Sequence, residues 1–396
     1  MRLATGDLLA TRLAHVRGSF PAAAVDALIV GHLPNVFYLT NFPGSAGILV
    51  VTPDAAHLIT DFRYQTAAAA LVASDRGCPG CELVLVDRSY DEALAGLLNR
   101  LEERRIGFEA ARLSVARYEW LVRALGTHAG PPADGIADAE PAHALVPTER
   151  LVERARLRKD EYEIETLRAA GRLLGEVARQ QLARVKGGRT ERQIAADIDW
   201  AMRRAGFERP AFDTIVASGP HAALPHARPE SRRLRSGDLV VLDFGGVYDG
   251  YCVDLSRTVS IGSPDVERRR VYGAVADAHQ AAIAAVKPGV PAWTIDQAAR
   301  DALARHGLAE HFGHGTGHGL GIEVHEEPRI SRRQPASGGE APDAATDERI
   351  EEGMVFTIEP GAYLPGRFGV RIEDDVLVTA EGCDVLTEIS RDLLVR

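Results

Sequence analysis

The chain has 396 residues, 45% of them hydrophobic, and a formal charge of −10. That length suits two domains with cores of ordinary size. The acidic balance, with no basic block, argues against nucleic acid as a partner, and no run of about 18 apolar residues offers a membrane span.

The first residues, MRLATGDLLATRLAHVRGSF, read as an amphipathic helix and lack the apolar core of a signal peptide. Short apolar runs at 25–32, 47–52, 57–60, 82–87 and 104–110 predict strands, and 61–75 and 91–104 predict helices. The Pro-, Ala- and Gly-rich stretch 127–147 predicts a connection, with a domain border at 146/147. Of the four cysteines, Cys78 and Cys81 have C-x-x-C spacing, with no second pair to complete a zinc site; they read as a surface turn carrying two thiols. So few cysteines fit a cytoplasmic location.

Beyond the border, residues 149–186 are strongly helical, with an apolar stripe at Ile164, Leu167, Ala170 and Leu174. Thr190 and Gln193 form a capping box that opens the next helix. A helix from Val266, the breaker Pro288-Gly289 and a further helix repeat this arrangement, so an internal duplication is expected. The polar segment 331–349 predicts a loop.

Asp243, Asp254, His318, Glu359 and Glu373 stand inside or at the ends of apolar runs: VVLDFGG, YCVDLSRT, GTGHGLG, VFTIEPG and VRIEDD. Unpaired buried carboxylates are costly, so cations must neutralise them. Four oxygen donors and one nitrogen suit two divalent ions, and a dinuclear centre implies hydrolysis. Mixed O/N donors without thiolate favour Mn, Co or Zn. Asp243 and Asp254 flank Gly245-Gly246 and Asp249-Gly250, which predicts a hairpin aiming both carboxylates at one point. His226, His314 and His325 accompany this set and could hydrogen-bond an oxyanion or relay a proton. His221, His279, His306 and His311 lack such company and read as structural. Arg371, two residues before Glu373, is placed to orient a carboxylate.

These segments, together with NVFYLTNFPGSAGILVVT, LRKDEYEIETLRAA, the FDTIVASG and LPHA pair and HEEPRIS, resemble the proline-specific branch of the creatinase-like metallopeptidases. That family includes Xaa-Pro dipeptidases (prolidases), aminopeptidase P and methionine aminopeptidases. The resemblance implies an α+β pita-bread catalytic domain with pseudo-two-fold duplication, over 147–396, preceded by a smaller α/β domain over 1–146. It implies that Asp243, Asp254, His318, Glu359 and Glu373 bind two divalent ions, manganese first and zinc or cobalt as alternatives. Asp254 and Glu373 would lie close to both ions, and Glu359 would also be the general base for a bridging water or hydroxide. His226 and His325 would stabilise the tetrahedral intermediate or the leaving imino nitrogen, with His314 auxiliary. Arg329 is placed to clamp a substrate carboxylate, and Phe212 and Arg371 belong to the substrate side. Phe212 stands where some prolidases carry a tyrosine. The implied activity is cleavage of Xaa-Pro dipeptides by a homodimer. Release of the first residue from longer Xaa-Pro peptides is the alternative, and a non-peptidase creatinase-like role the third reading.

Overall fold

A computed structural model describes residues 1–126, 143–333 and 348–396. The chain divides into two compact units, Arg2–Arg156 and Leu157–Arg396, with Met1 grouped with the second. No helix among the described residues is long and apolar enough to cross a membrane.

The N-terminal unit is built on a six-stranded sheet. Its strands are β1 (Ala27–Val30), β2 (Ile48–Val51), β3 (Ala56–Thr60), β4 (Cys81–Leu85), β5 (Arg105–Glu109) and β6 (Ala144–Thr148), in the order β4-β3-β2-β1-β5-β6. β1–β2 and β2–β3 pair antiparallel, while β3–β4, β1–β5 and β5–β6 pair parallel. Its helices are α1 (Gly6–Gly18), α2 (Phe20–Ala23), α3 (Leu33–Thr40), α4 (Gln65–Val72), α5 (Tyr90–Leu98), α6 (Val115–Leu125) and α7 (Leu151–Leu157), the last ending one residue past the division. β1 and β2 are buried at every position, so they read as continuous apolar runs rather than alternating ones.

Two expectations change here. The border expected at 146/147 falls inside β6, which is registered on β5 from Arg105↔Ala144 to Glu109↔Thr148. Its Pro147 is tolerated because β6 is the last strand of the sheet. The preceding part of the expected connection, 127–142, lies outside the described residues. The turn of Cys78 and Cys81 does lie at the surface, with Pro79 and Gly80 exposed, but both cysteines are buried, at 3% and 9% exposure.

In the C-terminal unit a helix pair and a set of antiparallel strands occur twice. The first set has α8 (Glu161–Leu182), α9 (Glu191–Ala205), β7 (Arg209–Pro210), β8 (Ile215–Ser218), β9 (Leu239–Tyr248) and β10 (Tyr251–Ser260). The second has α10 (Val266–Ala285), α11 (Ala292–Arg305), β11 (Gly317–Gly319), β12 (Glu326–Ile330), β13 (Val355–Ile358), β14 (Gly361–Leu364), β15 (Phe368–Arg371), β16 (Asp374–Val378), β17 (Cys383–Val385) and β18 (Leu394–Val395). One sheet runs β18-β10-β9-β7, with β8 also on β9; the other runs β12-β11-β13-β16-β17; β14 and β15 form a hairpin. The expected duplication is therefore visible as two helix pairs, each followed by strands.

The helix expected over 149–186 is interrupted. The backbone of Lys159 donates to Gly353 O at 2.8 Å, and Arg158 bridges to Met354, which pulls 158–160 out of helical geometry. Asp160 then opens α8 with a capping box to Glu163, and Thr190 does the same for α9 with Gln193. Val271, Val275 and Ala278 of α10 and Ile295 and Ala299 of α11 join Phe356, Ile358, Val376 and Val378 in one buried cluster. This core packs α10 and α11 against β13 and β16, inner strands of the second sheet. The expected loop 331–349 has its middle, 334–347, outside the described residues.

Candidate metal centre

β9 and β10 form a ten-residue antiparallel ladder turned by Asp249 and Gly250, at φ 47° and 82°. Positive φ at both loop residues is the type I′ turn that suits the twist of a hairpin. The register sets Asp243 opposite Ser256 and Gly245 opposite Asp254. Residues two apart share a face, so Asp243, Asp254 and Ser256 point to the same side. Both aspartates are buried.

His318 is the middle residue of β11. A Cβ on Gly317 would collide with the Thr357 carbonyl, and one on Gly319 with the Glu327 carbonyl, so the histidine sits between two positions with room for hydrogen alone. Its backbone N–H donates to Thr357 Oγ1 at 3.1 Å, and Nδ1 lies 3.1 Å from the Gly319 carbonyl. With Nδ1–H donating there, Nε2 keeps its lone pair, 3.7 Å from Glu359 Oε1. Burial, with His325 second, pushes the His318 pKa down to about 3, so the ring is neutral and able to bind a cation.

Glu359 follows β13, its N–H held by Thr316 O at 2.7 Å. Glu373 lies between β15 and β16, its N–H on Ser256 O and its Oε2 accepting from Ser256 Oγ at 2.6 Å. Donor atoms of Asp254, His318 and Glu373 all fall within 4.8 Å of one another. Asp243 and Glu359 line the same cavity of about 450 Å³.

The electrostatics fit a cation. Burial, then Asp243, raises the Asp254 pKa well above the usual range; burial, then Asp254, does the same to Glu373. Burial also pushes Glu359 up to about 8 against the opposing pull of Arg371. Asp243 Oδ1 is buried without a hydrogen-bond partner among the described residues. Of the arginines lining the cavity, Arg371 is the one that bonds Asp243 and acts on Asp254, Glu359 and Glu373, and one guanidinium cannot offset four carboxylates. Oxygen donors with one neutral imidazole are what hard or borderline divalent cations take.

Residues 165–380 match the model of metallopeptidase family M24, and 12–158 match that of the creatinase/prolidase N-terminal domain. The chain belongs to metallopeptidase family M24. It is 40% identical to a Xaa-Pro dipeptidase of Pyrococcus furiosus over 94% of this chain and 96% of that protein. A solved Xaa-Pro dipeptidase from Bacillus anthracis superposes with a TM-score of 0.87 at 31% identity, covering 98% of this chain and all of the other. An X-Pro aminopeptidase from Thermotoga maritima gives 0.81 at 33% identity, covering 96% and 100%. Like other M24 metallopeptidases, the protein acts on peptides with divalent metal, and the cluster around Asp254, His318 and Glu373 is where its donor atoms converge.

The remaining residues expected at this M24 site all line the cavity: His226, His314, His325, Arg329, Phe212 and Arg371. His226, His325 and Arg329 are exposed, and the His325 ring packs edge-on against His318 with centroids 4.4 Å apart. Burial, then Arg329, lowers the His325 pKa. His314 Nδ1 lies 2.8 Å from the Gly315 carbonyl, and its Nε2 lies 2.9 Å from the Tyr363 hydroxyl.

Of the two roles expected of Arg371, orienting a carboxylate and lining the substrate side, its contacts favour the first. It is buried and donates to Ser256 Oγ at 2.9 Å, to Pro225 O at 3.1 Å, to the Tyr363 hydroxyl at 3.0 Å and to Asp243 Oδ2. Its donors hold protein groups, so it positions Asp243 rather than reaching for a ligand. Sequence reasoning missed Tyr363, Ser256 and Asp375. Tyr363 closes a chain of donors: Arg371 Nη1–H to Tyr363 Oη, Tyr363 O–H to His314 Nε2, and His314 Nδ1–H to Gly315 O. Asp375 Oδ2 accepts the Asp254 N–H at 2.9 Å. Ser256 follows Asp254 by two on a strand, so period-2 alternation could have found it; no comparable local signal marks Tyr363.

Proposed function

We propose that this chain is a Xaa-Pro dipeptidase. The observation that carries the reading is Arg329, an exposed guanidinium on the wall of the cavity that also holds His226, His325 and the acidic cluster. A dipeptide ends in a carboxylate close to its scissile bond, and an arginine fork is the natural partner for it. The dipeptidase names of the relatives support the same choice.

Asp243, Asp254, His318, Glu359 and Glu373 would hold two divalent ions, manganese by family resemblance with zinc or cobalt as alternatives, which when bound polarise the scissile carbonyl and acidify water. Glu359 is the general base: it is partly buried at the cavity wall, with His314 4.0 Å away. His226 and His325 face the cavity with rings free to donate, so they stabilise the oxyanion or protonate the leaving nitrogen of proline. Arg371 and Ser256 fix Asp243 and Glu373 in position.

The alternative is an aminopeptidase P activity on longer peptides, supported by the Thermotoga maritima neighbour. Hydrolysis of Ala-Pro and Ala-Pro-Ala by manganese-loaded protein, with products identified by mass spectrometry, separates the two. The dipeptidase reading expects Ala-Pro to be the better substrate and Arg329→Ala to lower its kcat/KM by about 10–100-fold, the worth of a charge-assisted hydrogen bond. Faster release of alanine from Ala-Pro-Ala, indifferent to Arg329→Ala, would replace it with the aminopeptidase reading.

A further inference from the structure

We propose that Cys78 and Cys81 are a redox-modification site, a dithiol that small hydroperoxides convert reversibly to a disulfide. Nothing in the peptidase chemistry uses these residues, and they lie in the N-terminal compact unit.

The geometry begins with the turn. Cys78-Pro79-Gly80-Cys81 is closed by a hydrogen bond from Cys81 N–H to Cys78 O at 3.1 Å, with Gly80 at φ 68°. Proline second and a positive-φ glycine third are the marks of a type II turn. Such a turn keeps its end Cα atoms within about 7 Å, the span that a disulfide bridges without backbone movement. Within the turn the Cys78 thiol donates to Pro79 O at 3.8 Å, and the two thiols are near enough to shift each other's acidity.

Both ends of the turn are anchored. Cys81 opens β4 opposite Ala56, whose N–H donates to Gly80 O at 3.2 Å. On the other side Gly6 N–H holds Asp75 O at 3.0 Å, and Asn41 Nδ2 holds Arg76 O at 2.9 Å. The cysteines therefore sit in fixed register, and closing the bridge needs little beyond side-chain rotation. A metal role lacks ligands: among the described residues no His, Asp or Glu donor completes a group with the two sulfurs. Structural zinc takes four.

The chemistry assigns different roles to the two sulfurs. Cys81, then burial, raises the Cys78 pKa, while Cys78, working against burial, lowers that of Cys81. Cys81 is also the more exposed of the pair. Cys81 thiolate attacks a hydroperoxide oxygen; the S–O bond forms, the O–O bond breaks, and the departing alkoxide or hydroxide takes up a proton. The Cys78 sulfur then attacks the Cys81 sulfenic acid, forming the S–S bond and releasing water with the Cys78 proton. The net change is two thiols and one hydroperoxide to one disulfide, one alcohol (or water) and one water.

The test uses the full chain with hydrogen peroxide as the probe, followed by maleimide capping and tryptic digestion. Cleavage after Arg76 and Arg88 leaves both cysteines on the peptide 77–88. The expected result is loss of two of the four free thiols, a disulfide on that peptide, and full recovery with dithiothreitol. In Cys78→Ser, oxidation should stop at a Cys81 sulfenic acid trapped by a dimedone probe. The proposal is overturned if the peptide keeps both maleimides while Cys252 or Cys383 oxidises, or if native Cys81 goes to sulfinic acid without a disulfide. The native measurement decides even if the variant does not fold.

Discussion

Glu373 and Asp374 are adjacent in the chain and both fully buried, yet their surroundings have opposite sign. Asp374 accepts from Arg257 Nη2 and Arg391 Nε, each at 2.7 Å, and from Thr387 at 3.0 Å, with His279 at 3.3 Å. Although its burial opposes ionisation, Arg257, His279 and Arg391 hold its pKa below the usual range. Glu373, one residue earlier, faces Asp254, Glu359 and Asp243, and burial with these neighbours drives its pKa up. Alternation along the chain turns the two side chains to opposite sides. One side meets cations supplied by the protein, and the other meets carboxylates that await cations from solution. An acidic residue in an apolar run is therefore not by itself a ligand; the distribution of arginine around it decides.

Four experiments sharpen or break that contrast. The largest effect is expected from Asp254→Asn. Hydrolysis should fall by at least about 10³-fold, since a metal contributes several kcal/mol to the transition state. Metal content, measured by mass spectrometry of the purified protein, should fall with it. The metal-free variant should melt above the metal-free parent, because one repelling charge is gone. A lower melting temperature without metal would break the contrast.

Asp374→Asn should do the reverse. It leaves Arg257, 2% exposed, without its counter-charge, and breaking a buried pair costs about 3–5 kcal/mol. Denaturant unfolding checks this, and the five proposed ligands are untouched. A stability loss under about 1 kcal/mol would place Asp374 among weakly paired acids.

Acidification should act through the same cluster. Burial pushes the His279 pKa down to about 4, with Asp374 opposing. The unfolded chain binds this proton near pH 6.5 and the folded one only near 4, so stability is complete above 6.5 and is lost as pH falls toward 4. The loss amounts to about 3 kcal/mol from this group. Unfolding at pH 7, 5.5 and 4.5 should show a shallower decline in His279→Gln than in the parent.

The smallest effect is expected from Tyr363→Phe. It removes the hydroxyl joining Arg371 to His314 and leaves the packing intact, so a loss of about 1–2 kcal/mol, near tenfold in kcat/KM, should follow without loss of metal. A variant that loses metal as well would make Tyr363 a support of the ligands through Arg371 rather than of His314.

Much of the site was legible because its residues break local rules. Asp243 and Asp254 interrupt apolar strand patterns, and the Asp249-Gly250 turn declares their hairpin. His318 is framed by two glycines that make way for neighbouring carbonyls. The helix starts at Asp160 and Thr190 follow from caps a few residues long. Strand β6 was harder, because a short run ending in Val146-Pro147 has no pattern of its own and exists by pairing with β5.

The sequence by itself determined the residue types of an M24 metallopeptidase site, the duplicated helix pairs and most strands of the N-terminal unit, all readable from chemistry within about ten residues of chain. Tertiary structure alone decided which charges meet. Arg371 reaches Asp243 across 128 residues and Pro225 across 146, and these contacts decided which carboxylate it holds. It also decided that no arginine among the described residues hydrogen-bonds the Glu373 carboxylate as Arg257 does that of Asp374, and that the Cys78 and Cys81 side chains are buried beneath an exposed turn. The physical reason is common to all three. Desolvation and Coulomb energies depend on distances through space, and a linear pattern carries no information on those until the sheets have closed.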